Sequence, residues 1–179
     1  MKHAVLLVVV LLSACAASGP RYVEHSDNAP SVPDQRSRLV VFRQSSTPQY
    51  SAREARLELD RAAAGSVLPA GFRVFEVPPG LHTIVVDMWD APGRCELTFE
   101  ITGGATQYFE VAPRVASFLS AAPALAAPPI PAGSLVGAAL MLIGMAAESA
   151  GKLCGGAFSV VPIDNEAALP KLAQVRLSQ

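Results

Sequence analysis

The chain has 179 residues, a formal net charge of −1 and three cysteines. So slight a charge leaves no electrostatic footprint for a polyanion, and no nucleic-acid partner is implied. A mean hydropathy of +0.35 is high for a chain that folds in water, and two uncharged stretches, one near the N-terminus and one after Arg114, supply most of it.

Met1-Lys2-His3 opens the chain with charge, Ala4 to Leu12 is apolar, and Leu12-Ser13-Ala14-Cys15 follows. This is the three-part layout of a secretory signal peptide: a positive start, an apolar core, and small residues at the cut. The apolar core is about half as long as a helix that spans a bilayer. An ordinary signal peptide has no use for a cysteine at the cut. Leu12-Ser13-Ala14-Cys15 resembles the lipobox of bacterial lipoproteins. The resemblance implies cleavage before Cys15, acylation of its thiol by palmitate-like chains, and membrane attachment through that lipid. One acyl chain holds a protein marginally, and two or more hold it firmly. Ala16, rather than an aspartate, follows Cys15; similarity to Gram-negative lipoprotein sorting then implies an outer-membrane lipoprotein of the cell envelope that faces the periplasm. The competing reading is a plain signal peptide with a chance cysteine.

Ala16 to Ser37 is rich in Ser, Gly, Pro, Asp and Asn and poor in large apolar residues. Such a stretch buries too little surface to offset its ordering entropy, and it reads as a flexible tether. Strand signals begin at Arg38, with Leu39-Val40-Val41-Phe42. Arg56 to Asp60 alternates, Asp60-Arg61 offers a turn back into Ala64 to Leu68, and Pro69-Ala70-Gly71 breaks the run. Phe72 to Val77 follows, then Pro78-Pro79-Gly80 and a strand from Leu81 to Trp89. That strand is apolar at both parities near Ile84-Val85-Val86, as a central strand covered on both faces would be. From Arg94 to Thr102 the alternation is clean: Cys95, Leu97, Phe99 and Ile101 share one face, and Glu96, Thr98, Glu100 and Thr102 the other. Gly103-Gly104 reads as a tight turn, with Ala105 to Val111 pairing back as a hairpin. The pattern predicts a mainly β chain, an antiparallel β-sandwich of about seven strands.

Phe75-Glu76-Val77-Pro78-Pro79-Gly80-Leu81-His82-Thr83-Ile84 resembles a turn of a bacterial lipoprotein family of unknown function. The domain of that family is similar to the PEGA and carboxypeptidase-regulatory-like β-sandwiches. Gly103 to Phe109 and Gly156 to Pro162 resemble further strands of it. Between Val115 and Cys154 the chain departs from the pattern, which has a shorter connection there, and the resemblance implies no activity.

Val115 to Ala147 contains no charged residue, and Pro123, Pro128, Pro129 and Pro131 interrupt it. The prolines divide it into two arms, the second from about Ser134 to Ala150, and predict an apolar helical hairpin inserted before the last strand. Leu135, Val136, Leu140, Met141, Leu142, Ile143 and Met145 surround the second arm on every side. A helix apolar all round must be buried. Three destinations stay open: its own sandwich, a membrane, or a protein partner, including copies of itself. After Cys154 the signals give a strand at Ala157 to Val161, a short helix within Asp164 to Leu172 despite Pro170, and an edge strand at Gln174 to Leu177. The chain thus divides into a signal peptide (1–14), a lipidated N-terminus and tether (15–37), a sandwich (38–113), an insert (114–153) and a closing segment (154–179).

With Cys15 assigned to lipid, Cys95 and Cys154 remain as a pair, either disulfide-bonded or two buried thiols. No convergent metal-ligand spacing, nucleophile elbow, phosphate loop or dinucleotide fingerprint appears. No cofactor, metal or catalytic residue is expected, and the chain reads as a non-enzyme. His82 reads as a turn-bracing residue, Glu96 and Glu100 as a solvated face, and Trp89 beside Asp87 and Asp90 as a core tryptophan rather than a sugar platform. The expectation is a structural or protein-interaction module of the envelope, or a membrane-inserting accessory of a transport or secretion assembly.

Overall fold

The computed structural model describes residues 16–45, 50, 52–114 and 153–179. Cys15, the expected signal peptide and the expected apolar helical hairpin lie outside the described residues. A helix, α1 (Tyr22–Asp27), precedes β1 (Ser37–Arg43), β2 (Ala55–Leu59), β3 (Ala62–Val67), β4 (Gly71–Val77), β5 (Gly80–Asp87), β6 (Arg94–Ile101) and β7 (Thr106–Pro113). Past the insert come β8 (Leu153–Cys154), β9 (Phe158–Ile163), α2 (Asn165–Leu172) and β10 (Arg176–Leu177). The chain is mainly β, in two five-stranded sheets ordered β10-β4-β1-β7-β9 and β3-β2-β5-β6-β8.

Two features depart from the expected antiparallel, seven-strand pattern. β8 has two residues, too few to leave a period-two trace in sequence, whereas β10 falls within the edge strand expected at Gln174 to Leu177. And β1 runs parallel to β7, as β10 does to β4. The second feature follows from the Gly103-Gly104 turn. β7 does not pair back on β6 as a hairpin; it crosses to the other sheet and lies between β1 and β9. The glycines serve that crossing. Gly104 N–H donates to the Arg36 carbonyl (2.8 Å), and a Cβ on Gly103 would collide with the Asp34 backbone.

The main core lies between the sheets. Leu39, Val41, Phe109 and Val111 of the first meet Leu57, Ile84, Val86, Leu97 and Ile101 of the second. Each such side chain contributes about 1.5–3 kcal/mol by leaving water. The alternate residues of β1, Val40 and Phe42, point the other way. They join Tyr22, Phe72, Tyr108, Ala168, Leu172 and Val175 in a second core beneath the two helices. β1 is therefore buried on both faces, which accounts for the unbroken apolar run from Leu39 to Phe42.

The second core changes the reading of the N-terminal stretch. Expected as a tether, it is packed from Ala17. Ala17 N–H donates to the Pro69 carbonyl and Gly19 N–H to the Leu177 carbonyl, each at 3.2 Å. Tyr22 stands edge-on to Phe72 with ring centroids 5.2 Å apart. Composition hides this because few large side chains carry the docking: Tyr22, and His25 with its ring 5.5 Å from that of Phe72. At the other terminus, Asp164 Oδ1 caps α2 by accepting from Ala167 N–H (2.7 Å). The helix runs through Pro170 because Ala168 and Leu172 are both fully buried, and their burial outweighs the bond proline cannot make.

Candidate functional site

The described residues that flank positions 115–152 lie at one pole of the molecule and are fastened together. Arg114 N–H donates to the Ala157 carbonyl (2.8 Å). Its guanidinium Nη1 donates to the Cys154 carbonyl and, at 3.4 Å, to that of Gly156. Cys95 and Cys154 face each other across the β6–β8 pairing and are joined by a disulfide, closing a loop with a sequence separation of 59. Gly155 N–H donates to the Arg94 carbonyl (2.9 Å). Gly93, with a φ of +85°, lets two backbones touch there: a Cβ would collide with the Gly155 carbonyl. These contacts bind β7 and β9 of one sheet to β6 and β8 of the other.

Arg43 lies beneath this clasp, at the end of β1, and is 2% exposed. Nη2 donates to the Tyr50 carbonyl (2.6 Å) and Nη1 to the Arg53 carbonyl. The guanidinium lies 4.6 Å from the Phe158 ring centre, a cation–π contact strengthened by desolvation. Burial pushes the Arg43 pKa down to about 10, so it stays charged at neutral pH. Through Arg53 the cluster reaches the surface. Arg53 pairs with Asp90 (2.8 Å) and places its guanidinium 5.4 Å from the centre of the Trp89 ring. In the other direction Arg43 is the register partner of Gly71, and Ala17 sits against Gly71, whose Cβ would come within 3.1 Å of Ala17 Cβ. One run of contacts thus ties Ala17 to Trp89, and a branch through Phe158 ties both to Arg114 and Cys154.

The other residues singled out in the sequence fall elsewhere. Trp89 is not in the core but 60% exposed. Asp87 and Asp90 do not converge on it as a sugar rim: Asp87 is held by Arg56 through two bonds, at 2.7 and 3.2 Å, and Asp90 by Arg53. Asp87 lines an open groove of about 420 Å³ with Glu54, Arg56, Glu58, Ser66 and Val85. There Ser66 Oγ donates to Glu54 (2.7 Å). Glu96 and Glu100 lie on the outward face of β6.

His82 is at the opposite pole, buried after the Pro78-Pro79-Gly80 crossing. Its Nδ1 lies 2.6 Å from Asp60 Oδ2 and its Nε2 2.8 Å from the Pro78 carbonyl. Both partners are acceptors, so both nitrogens donate when the ring is an imidazolium. Asp60 Oδ1 also accepts from Thr83 N–H (2.9 Å). Burial pushes the His82 pKa down, but the Asp60 bond, the Pro78 carbonyl and the Asp60 charge outweigh it, and the net shift is upward. For Asp60, burial raises the pKa, but the Thr83 N–H, the His82 hydrogen bond and the His82 charge together outweigh it, leaving it below the usual carboxylate range. The pair braces the β2–β3 turn, where Asp60 and Arg61 have φ of 52° and 68°, against β5.

Among the described residues no group of three or more His, Cys, Asp or Glu could hold a metal ion, and no helix is long and apolar enough to cross a membrane. Sequence reasoning missed Arg43, Arg53 and Arg114. Only Arg114 left a signal, as the last charge before a long uncharged stretch. No family model matches the chain, and neither a curated protein nor a solved structure matches it.

Proposed function

We propose that the chain is a lipid-anchored protein of the bacterial cell envelope, held through Cys15 at the outer membrane and facing the periplasm. It acts there as a non-enzymatic structural or protein-interaction module. In this reading the two sheets form a PEGA-like β-sandwich with an apolar helical hairpin between β7 and β8. The leader ending at Leu12-Ser13-Ala14-Cys15 supports the anchor. The observation that carries the reading is one of position. Ala17, two residues after Cys15, lies at the same pole as Arg114 and Cys154, which flank the uncharged stretch. Lipid and apolar insert would then act on one side of the domain, leaving the rest facing the periplasm.

That same position favours a second reading, in which the insert enters the membrane as part of a transport or secretion assembly. Fractionation with in-cell cross-linking, comparing the full chain with its Cys15→Ala variant, separates the two. The module reading expects the full chain in the membrane fraction and the variant released to the periplasm. A variant that stays in the membrane, cross-linked to integral proteins, supports the assembly reading. A full chain found soluble overturns both.

A further inference from the structure

We infer that the pole carrying Trp89 is a docking surface for a phospholipid bilayer, with the indole at the depth of the headgroups. The inference rests on the anchor proposed above and adds an orientation to it. Trp89 is the chain's single tryptophan and is 60% exposed, although an indole is among the side chains that gain most from leaving water. Arg53 does not hide it. Held by Asp90 (2.8 Å), Arg53 sits over the ring at 5.4 Å and fixes it in place. An amphipathic ring beside a cation suits the membrane interface, where tryptophan collects and arginine meets phosphate.

Three chain directions converge on this pole. Ala17 N–H donates to the Pro69 carbonyl, beside Gly71, the register partner of Arg43, and Arg43 bonds the Arg53 carbonyl behind Trp89. Two residues span at most about 7 Å, so a lipid on Cys15 would bring the bilayer that close to Ala17. Arg114 and Cys154 stand at the same pole, and the sequence between them carries no charge from Val115 to Ala147. Arg94, exposed next to the Gly93–Gly155 contact, adds a second surface cation there. Leu81 is more exposed still, at 72%, but it sits beside His82 at the opposite pole, opposite Glu100 in the pairing of β5 with β6. Exposure alone therefore does not select the surface; its coincidence with the chain ends does.

The single tryptophan makes the test direct. The full mature chain is reconstituted on vesicles of phosphatidylethanolamine and phosphatidylglycerol with brominated acyl chains, and flotation and Trp89 emission are read together. The expected result is co-flotation, with emission shifted to shorter wavelength and quenched by bromine. A Trp89→Phe, Leu81→Trp chain, reporting from the opposite pole, floats equally and is not quenched. Flotation with Trp89 unquenched and open to aqueous iodide keeps the anchor and overturns the docking surface. It would assign the pole to a protein partner or a second copy. If the chain does not float, the anchor fails, and excess vesicles added to the same protein decide the surface: a blue shift keeps it, and an unchanged spectrum overturns it. Quenching from both poles alike also overturns it.

Discussion

Arg114 spans the two feet of the 115–152 segment by donating from Nη1 to the carbonyl of Cys154, the residue whose sulfur is bonded to Cys95. A guanidinium and a disulfide thus fasten the same short strand, one from each sheet. Closing a loop of separation 59 restricts the unfolded chain by about 4 kcal/mol in the chain-entropy model. Urea unfolding of the oxidised and dithiothreitol-reduced protein should differ by about that amount. Equal midpoints would mean that Arg114 and the glycine contact hold the clasp unaided.

Arg43 is the interior counterpart of that clasp. Its fork satisfies two carbonyls, of Tyr50 and Arg53, and its plane stacks on Phe158. Lysine keeps the charge but neither the fork nor the plane. Arg43→Lys should cost on the order of 2 kcal/mol, and Arg43→Met at least as much, since it leaves both carbonyls short of a donor. Chemical denaturation reads both. An Arg43→Met protein as stable as the parent would show that the charge is no part of the core.

The Asp60–His82 pair fixes a pH dependence. The His82 pKa is raised in the folded chain, so its contribution is complete below about pH 6.5 and fades as pH climbs through the folded value. The Asp60 pKa is lowered, so its contribution is complete above about pH 4 and fades as pH drops through the folded value. The pair therefore stabilises most between about pH 4 and 6.5. Asp60→Asn should lower Tm most in that window and progressively less on either side. Its cost is on the order of 1 kcal/mol, because the half-exposed carboxylate is screened by water. A Tm difference that stays constant from acid to alkaline pH would contradict the assignment.

Tyr22 is the buried side chain that seats the N-terminal segment on Phe72, with the His25 ring beside it at 5.5 Å. Tyr22→Ala should cost about 3 kcal/mol and expose backbone amides 17–28 to solvent. Hydrogen exchange would show their protection lost while β1 and β7 keep theirs. Unchanged exchange would mean that the backbone bonds from Ala17 and Gly19 suffice to seat it.

The clean alternation of β6 was legible because its outer face meets water, so Cys95, Leu97 and Ile101 stand apart from Glu96, Thr98 and Glu100. β1 was legible as a strand, but its second buried face was not, since Val40 and Phe42 are covered by helices far away in sequence. The helix at Asn165–Leu172 could be read from the helix formers Glu166, Ala167, Ala168 and Leu169, despite Pro170. The role of Gly103-Gly104 could not: a glycine pair looks the same whether it turns a hairpin or lets the chain cross to another sheet. At the pole, count left Cys95 and Cys154 as a pair but could not decide between a disulfide and two buried thiols; their facing positions on β6 and β8 decide it. Arg43 and Arg53 could not be placed, because nothing local distinguishes a buried arginine at a strand end from a solvated one.

Metabolic labelling with an alkyne-bearing palmitate analogue tests the anchor on which the proposed function depends. The account predicts label on the full chain, carried by the N-terminal peptide beginning at Cys15, and none on a Cys15→Ala chain. A mature chain that has lost its leader yet takes up no label would contradict it.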